Sequence, residues 1–172
     1  MSEPGDDLVI RLAGEPDLDE IMQLALSASD ENGFLRPAPH KLLQEIWPAL
    51  HLEHGLVGAI GKPGGIIEGA ILLRIGTMWY SEDKVIEEKA IFIHPDFRAA
   101  KGGRAKRLCD FSKHVADTLE LPLVIGVLSN LRTAAKVRMY QRQFGEPSGA
   151  FWLYGARTGQ YSQAAIAPAE TE

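Results

Sequence analysis

The sequence predicts a mixed α/β (α+β) domain, one sheet with helices on both faces. Three observations carry that expectation. Apolar runs of strand length alternate along the chain with runs of helical periodicity. Two apolar segments flank "KPGG", a turn signal that asks for an antiparallel hairpin. Finally, "AIFI" passes through a glycine-bearing hinge directly into an amphipathic helix, the pattern of a strand with a helix folded back on it. At 172 residues the chain is long enough for one buried core.

In chain order, "LVIRLA" (8–13) is short, apolar and β-branched, hence a strand. "GEPDLDEIMQLALSAS" opens with proline and acids and sets Leu18, Ile21, Met22 and Ala25 at helical spacing. "NGFLRPAPH" ends that helix, and "KLLQEIWPALHLE" is a second, less regular one, interrupted near Pro48. "GLVGAIG" and "GIIEGAILLRI" are the hairpin strands, and "KVIEEKAIFI" is the next strand. After the hinge, Ala105, Leu108, Cys109, Ser112, Val115, Ala116 and Leu119 mark one face of a helix. "LPLVIGVLS" reads as a buried strand, "NLRTAAKVRMYQRQF" as a helix capped by Asn130, and "GAFWLYGAR" as a last strand. A single domain over 8–158 is expected, with flexible tails at 1–7 and 159–172.

Composition narrows the function. The net charge of −5 argues against wholesale nucleic-acid binding. There is no apolar run of membrane-spanning length and no basic-then-apolar leader, and the single cysteine, Cys109, excludes an internal disulfide framework. A cytoplasmic protein is expected, without a membrane partner.

Against that acidic background, "HPDFRAAKGGRAKRL" gathers Arg98, Lys101, Arg104, Lys106 and Arg107 around Gly102 and Gly103. A strand that ends in glycines and opens a helix is a physical anion trap. The first helical N–H groups lack partners, the dipole adds positive charge, and glycine lets a phosphate approach the main chain. The alternative on these residues alone is a turn whose cations are simply solvated. Neither a Walker loop nor a dinucleotide fingerprint is present.

With its flanking elements, "IFIHPDFRAAKGGRAKRL" resembles the core motif of the GNAT superfamily of N-acetyltransferases, V-x-P-x-x-R followed by R/Q-x-x-G-x-G/A. Ile93, Pro95 and Arg98 match the first part; Gly103, Arg104 and Ala105 match the second. Two extra residues follow Arg98, and Ala100 takes the R/Q position, as in divergent, phage-associated members. Downstream, "SNLRTAAKVRMYQRQFG" is similar to the family's N-x(n)-Y-x-x-x-G-F region, with Phe144-Gly145 reversed.

The resemblance implies a mainly antiparallel sheet and acetyl-CoA as co-substrate, with no metal. It places the pyrophosphate on the amides of Lys101, Gly102, Gly103, Arg104 and Ala105, with Arg98 nearby. It pairs the pantetheine arm with the backbone of Ile91, Phe92 and Ile93, and offers Asn130 to the pantetheine amides. A backbone N–H near Ile93 is the natural oxyanion donor.

Acetyl transfer needs a neutral amine, and deprotonating an ammonium of pKa ~10.4 at pH 7 costs roughly 4.6 kcal/mol. A positioned carboxylate can take that proton. Glu87 and Glu88 are the candidates. Neighbours on a strand face opposite ways, so one of them points into the cleft. The resemblance favours Glu87, with Glu68 a weaker candidate, and assigns the leaving thiolate to Tyr140. The competing readings are solvated strand charges for the glutamates and a core tyrosine stacked with Ala134 and Val137.

Other features carry less. His51 and His54 lack a third ligand, so no metal site is expected. Cys109 sits on an apolar helix face and reads as core. Trp79, Tyr80 and "FWLY" read as core or interface. Phe34, Trp47 and His51 fall where the resemblance puts the acceptor side. The function expected is N-acetylation of a primary amine, on a small molecule or a protein, by direct transfer. The alternative is a catalytically weak CoA-binding or interaction module of the same fold. Exposed terminal strands leave a homodimer open.

Overall fold

The computed structural model describes residues 9–98, 102–130 and 132–155. The expected tails and Lys101 lie outside those residues. Elements run β1 (Ile10–Leu12), a 3₁₀ turn (Glu15–Asp17), α1 (Leu18–Asn32), α2 (Pro39–Leu50), β2 (Gly55–Ile60), β3 (Gly69–Thr77), β4 (Lys84–Ile93), α3 (Arg104–Leu119), β5 (Leu123–Val124) and α4 (Thr133–Phe144). The strands stand in the order β1-β2-β3-β4-β5, antiparallel except for the parallel β4–β5 pair. The expected mixed, mainly antiparallel sheet with helices on both faces is borne out.

Period-two alternation splits the core into two layers. On one face α1 and α2 cover Val57, Ala59, Ala70, Leu72 and Phe92, with Ile21, Leu24 and Ile46 as the helical contribution. On the other, α3 lays Leu108 and Val115 over Ile60, Ile71, Leu73 and Ile86. Gly58 permits that close approach, since a Cβ there would stand 2.4 Å from the Phe111 ring. The α1 end is tied down by Asp17, which is buried and accepts two 2.8 Å bonds from Arg11 and further ones from the Gly14 and Gly64 amides. Those donors hold its carboxyl down to about 2.

One irregularity positions the site. β3 and β4 pair residue for residue until Leu72 meets Ala90 and Leu73 meets Glu88, so Lys89 is an extra, bulged residue. A bulge shifts the phase of the strand. Ile86 and Glu88 lie on the α3 side below it; above it Ile91 and Ile93 take that side, while Ala90 and Phe92 turn toward α1 and α2.

Four expectations need correction. α2 runs through Pro48 to Leu50: the proline withdraws only its own N–H from the ladder, and the Pro48 and Ala49 carbonyls still accept from the His51 and Leu52 amides. "LPLVIGVLS" forms a strand only at Leu123–Val124. "GAFWLYGAR" makes no strand among its described residues, and Phe151, Trp152 and Tyr154 are exposed rather than core, as are Trp79 and Tyr80. α4 starts at Thr133, with Arg132 in the capping position at φ 59° and no side-chain cap, so Asn130 does not cap it.

Candidate active site

β5 accompanies β4 only at Ile86 and Glu87, then diverges. Beyond that point the β4 edge carries outward-facing backbone groups. Ile86 N–H already points to this side, bonding the Pro122 carbonyl. Above the bulge, His94 N–H turns inward to Glu68, while the Ile93 carbonyl faces outward and accepts from Arg98 Nε at 3.1 Å. Antiparallel alternation therefore turns the Ile91 and Ile93 backbones to the open edge. Phe92 contributes a buried core side chain instead.

At the end of that edge the chain enters α3 through two glycines in the positive-φ region, Gly102 at 121° and Gly103 at 60°. A Cβ on Gly103 would meet nothing nearer than Lys106 Cβ at 3.9 Å, so packing does not require the glycine. The conformation requires it, and so would a group lying close above the main chain. The Arg104, Ala105 and Lys106 amides form the first helical turn, where no intrahelical acceptor exists. They open on a cleft of ≈ 300 Å³ bounded by Ile93, Phe97 and Arg98 on one side and by Met139, Arg142 and Gln143 of α4 on the other. This fits an elongated anion: donors at one end, an unpaired strand edge leading away.

The basic cluster is less free than its sequence suggests. Arg104 is almost buried, ion-paired to Glu68 at 2.7 Å and stacked 5.0 Å over the Phe97 ring. Arg98 pairs with Glu31 of α1 at 2.5 Å. Lys106 pairs with Asp110 at 2.6 Å, and Arg107 Nε donates to the Gly102 carbonyl at 3.0 Å. Glu68 is thereby an arginine partner at the β3 end of the cradle. Asn130 donates its backbone N–H to Asn32 Oδ1 at 3.0 Å, joining the β5–α4 loop to the end of α1.

Below the bulge the two adjacent glutamates part. Glu87 is exposed on the α1/α2 side, 2.9 Å from Lys89 and opposite Arg74 in register. Glu88 is half-buried on the α3 side, where the Gly126 N–H and the Tyr140 hydroxyl reach it. Burial pushes its carboxyl up to about 7, against the pull of those donors and of Lys136. Tyr140 is half-buried, packs edge-to-face on Phe144 at 5.8 Å, and is pushed well above the usual phenol range by burial and by Glu88. Ala134 and Val137 are exposed, so Tyr140 is not one of a packed stripe. Cys109 lies buried against this pair, and its thiol is pushed up to about 12, chiefly by burial. The sequence identified the Glu87/Glu88 choice but not its outcome, since the bulge that sets it has no residue signature of its own. It did not anticipate Met139, Arg142 and Gln143 as a cleft wall; their spacing on α4 was the available signal.

No protein-family model matches the sequence, and no curated protein matches it. Solved structures do. AAC(6')-Iy, in complex with the bisubstrate analogue CoA-S-monomethyl-acetylneamine, superposes with a TM-score of 0.64 over 87% of this chain and 97% of its own, at 16% identity. The chain has the GNAT acetyltransferase fold. A possible acetyltransferase from Clostridium difficile 630 matches with 0.64 at 16% identity over 85% and 95% of the two chains. A ribosomal-protein-alanine N-acetyltransferase from Brucella melitensis biovar Abortus 2308 matches with 0.61 at 16% identity over 84% and 97%. In this chain the glycine entry to α3 borders the cleft, and β4 and β5 diverge after Glu87. No helix among the described residues is long and apolar enough to cross a membrane.

Proposed function

We propose that the protein is an N-acetyltransferase that moves an acetyl group from acetyl-CoA to a primary amine by direct transfer. The observation that carries this reading is the Gly102–Gly103 entry to α3 at the end of a β4 edge that β5 leaves unpaired, with Glu88 and Tyr140 hydrogen-bonded to each other on the α3 side of the same strand. Fold neighbours solved with CoA or a CoA analogue support the same donor.

In this reading the amides of Gly102, Gly103, Arg104 and Ala105 receive the pyrophosphate. Ile91 and Ile93 pair with the pantetheine amides, and an edge N–H of β4 receives the carbonyl oxygen as negative charge develops there. Glu88, rather than Glu87, takes the ammonium proton. Its carboxyl near neutrality suits a base working at cellular pH, whereas Glu87 is on the far face and paired. Attack by the neutral nitrogen on the thioester carbon expels the thiolate, and the nitrogen, cationic once bonded to carbon, releases its second proton to solvent as the amide forms. Tyr140 gives its proton to that sulfur as it leaves, and the proton held by Glu88 restores the phenol. Full transfer from a free phenol to a free thiolate is uphill by roughly 2 kcal/mol, and the raised phenol of Tyr140 makes it more so; the hydroxyl therefore donates a hydrogen bond to the departing sulfur, and its proton moves only as C–S cleavage completes. Cys109, buried and protonated, stays out of the chemistry.

One observation favours the second reading, a CoA-binding module with little turnover: Arg98 and Arg104 are already held by Glu31 and Glu68. Thiol release from acetyl-CoA in the presence of a panel of primary amines separates the two. Turnover that falls about 100-fold in Tyr140→Phe, with CoA affinity retained, is the expected result. Wild-type rates in that variant would remove Tyr140 from the chemistry.

A further inference from the structure

The gap where β5 leaves β4 is crossed by a chain of hydrogen bonds, with Arg98 at its start. Arg98 Nε donates to the outward-facing Ile93 carbonyl at 3.1 Å, and its Nη2 meets Glu31 Oε2 at 2.5 Å. Glu31 and Asn32 are the last two residues of α1, which Gly33 ends sharply in the left-handed conformation at φ 65°. Asn32 carries the chain onward. Its Nδ2 donates to the Leu128 carbonyl at 3.3 Å, and its Oδ1 accepts from the Asn130 amide at 3.0 Å. The end of α1 is thus tied to the β4 edge on one side and to the segment after β5 on the other.

The Arg98 end of this chain coincides with the cradle. Arg98 lines the cleft beside Ile93 and Gly103. Its guanidinium is a fork suited to phosphate oxygens, and here a carboxylate of the chain itself holds it. The same side chain also covers the Ile93 carbonyl, one of the backbone acceptors that a strand-like ligand would need. Ion pair and covered acceptor therefore open or close together, because a single side chain makes both.

We infer that Arg98, Glu31 and Asn32 form a latch across the coenzyme track, in which Glu31 stands in for a phosphate and releases Arg98 when coenzyme A enters. The inference rests on the coenzyme A reading and adds its conformational control. A phosphoanhydride brings more negative charge to the guanidinium than one carboxylate does, so the ligand can displace Glu31. Until it does, the affinity for CoA is reduced by the fraction of molecules whose latch is open.

Calorimetric titration of CoA into the full-length protein, as wild type and as Glu31→Gln, tests it. Glutamine keeps the length of the side chain and removes the charge that holds Arg98. CoA should bind Glu31→Gln about three- to tenfold more tightly than wild type. On an Arg98→Ala background the same substitution should change affinity by less than about twofold, since no latch remains to be released. Unchanged or weaker binding in Glu31→Gln overturns the latch and makes Glu31 a residue that positions Arg98 for the coenzyme. An equal gain on the Arg98→Ala background overturns it as well, because that gain is the removal of a repelling charge. CoA binding to none of the variants is a different pattern; it removes the coenzyme A reading, and the latch with it.

Discussion

Glu88 and Glu87 are chemically identical neighbours, and the strand sends them into opposite environments. Glu88 is faced by Tyr140 and Lys136 from α4, by Cys109 from α3, by the Gly126 amide, and by Glu87 on its own strand. Burial dominates, and the carboxyl titrates at about 7 instead of 4.5. A raised carboxyl binds more protons in the folded state than in the unfolded state between those values. Stability is therefore lost as pH rises through that window. In the Glu88→Gln variant this loss should be absent. Chemical denaturation should show the variant gaining on wild type from pH 4.5 upward and levelling off above pH 7. At ~1.4 kcal/mol per pKa unit, the final gap is at most about 3 kcal/mol. The same substitution should lower turnover on any amine. A gap independent of pH would mean that Glu88 titrates normally and is no poised base. The sequence could name both glutamates; only the Lys89 bulge decides between them, and it depends on how β3 and β4 register across space.

At the scale of elements, β1 through α3 were legible because their periodicity and punctuation agree. Proline and early acids open the α1 segment, "KPGG" separates β2 from β3, and the paired glycines mark the entry to α3. The region after α3 was less legible. β-branched residues in "LPLVIGVLS" promise a long strand, but strand propensity is realised only against a partner. β4 offers β5 just two residues before its bulge bends it away. With so short a β5, "GAFWLYGAR" finds no long edge to extend, and its aromatics remain exposed. The cradle itself makes a sharper prediction. Gly103→Val places a β-branched side chain at a φ of 60° with open space around it. It should cost about 1–2 kcal/mol of stability from backbone strain alone. If the amides hold a pyrophosphate, CoA affinity should fall by far more than that strain explains, about 100-fold or beyond. Calorimetric titration of the folded variant reads this directly; unchanged affinity would place the anion elsewhere.

For the whole molecule, the sheet is the frame that brings separate signals to one place. The cradle comes from the β4–α3 junction and the acid–base pair from β4 and α4, and the divergence of β4 from β5 leaves the edge between them open. The local basic cluster in an acidic chain fits this arrangement, although its arginines are partly occupied by Glu31 and Glu68. Those ion pairs were invisible in sequence, because their partners lie 67 and 36 positions away. The central claim is that the track along β4 receives coenzyme A, and thermal unfolding with and without CoA tests it most directly. At a ligand concentration of about 100 times Kd, binding should add ~2.7 kcal/mol, a rise in Tm of about 5–10 °C that fades as CoA is diluted. A melting temperature that CoA leaves unmoved at millimolar concentration would contradict the account.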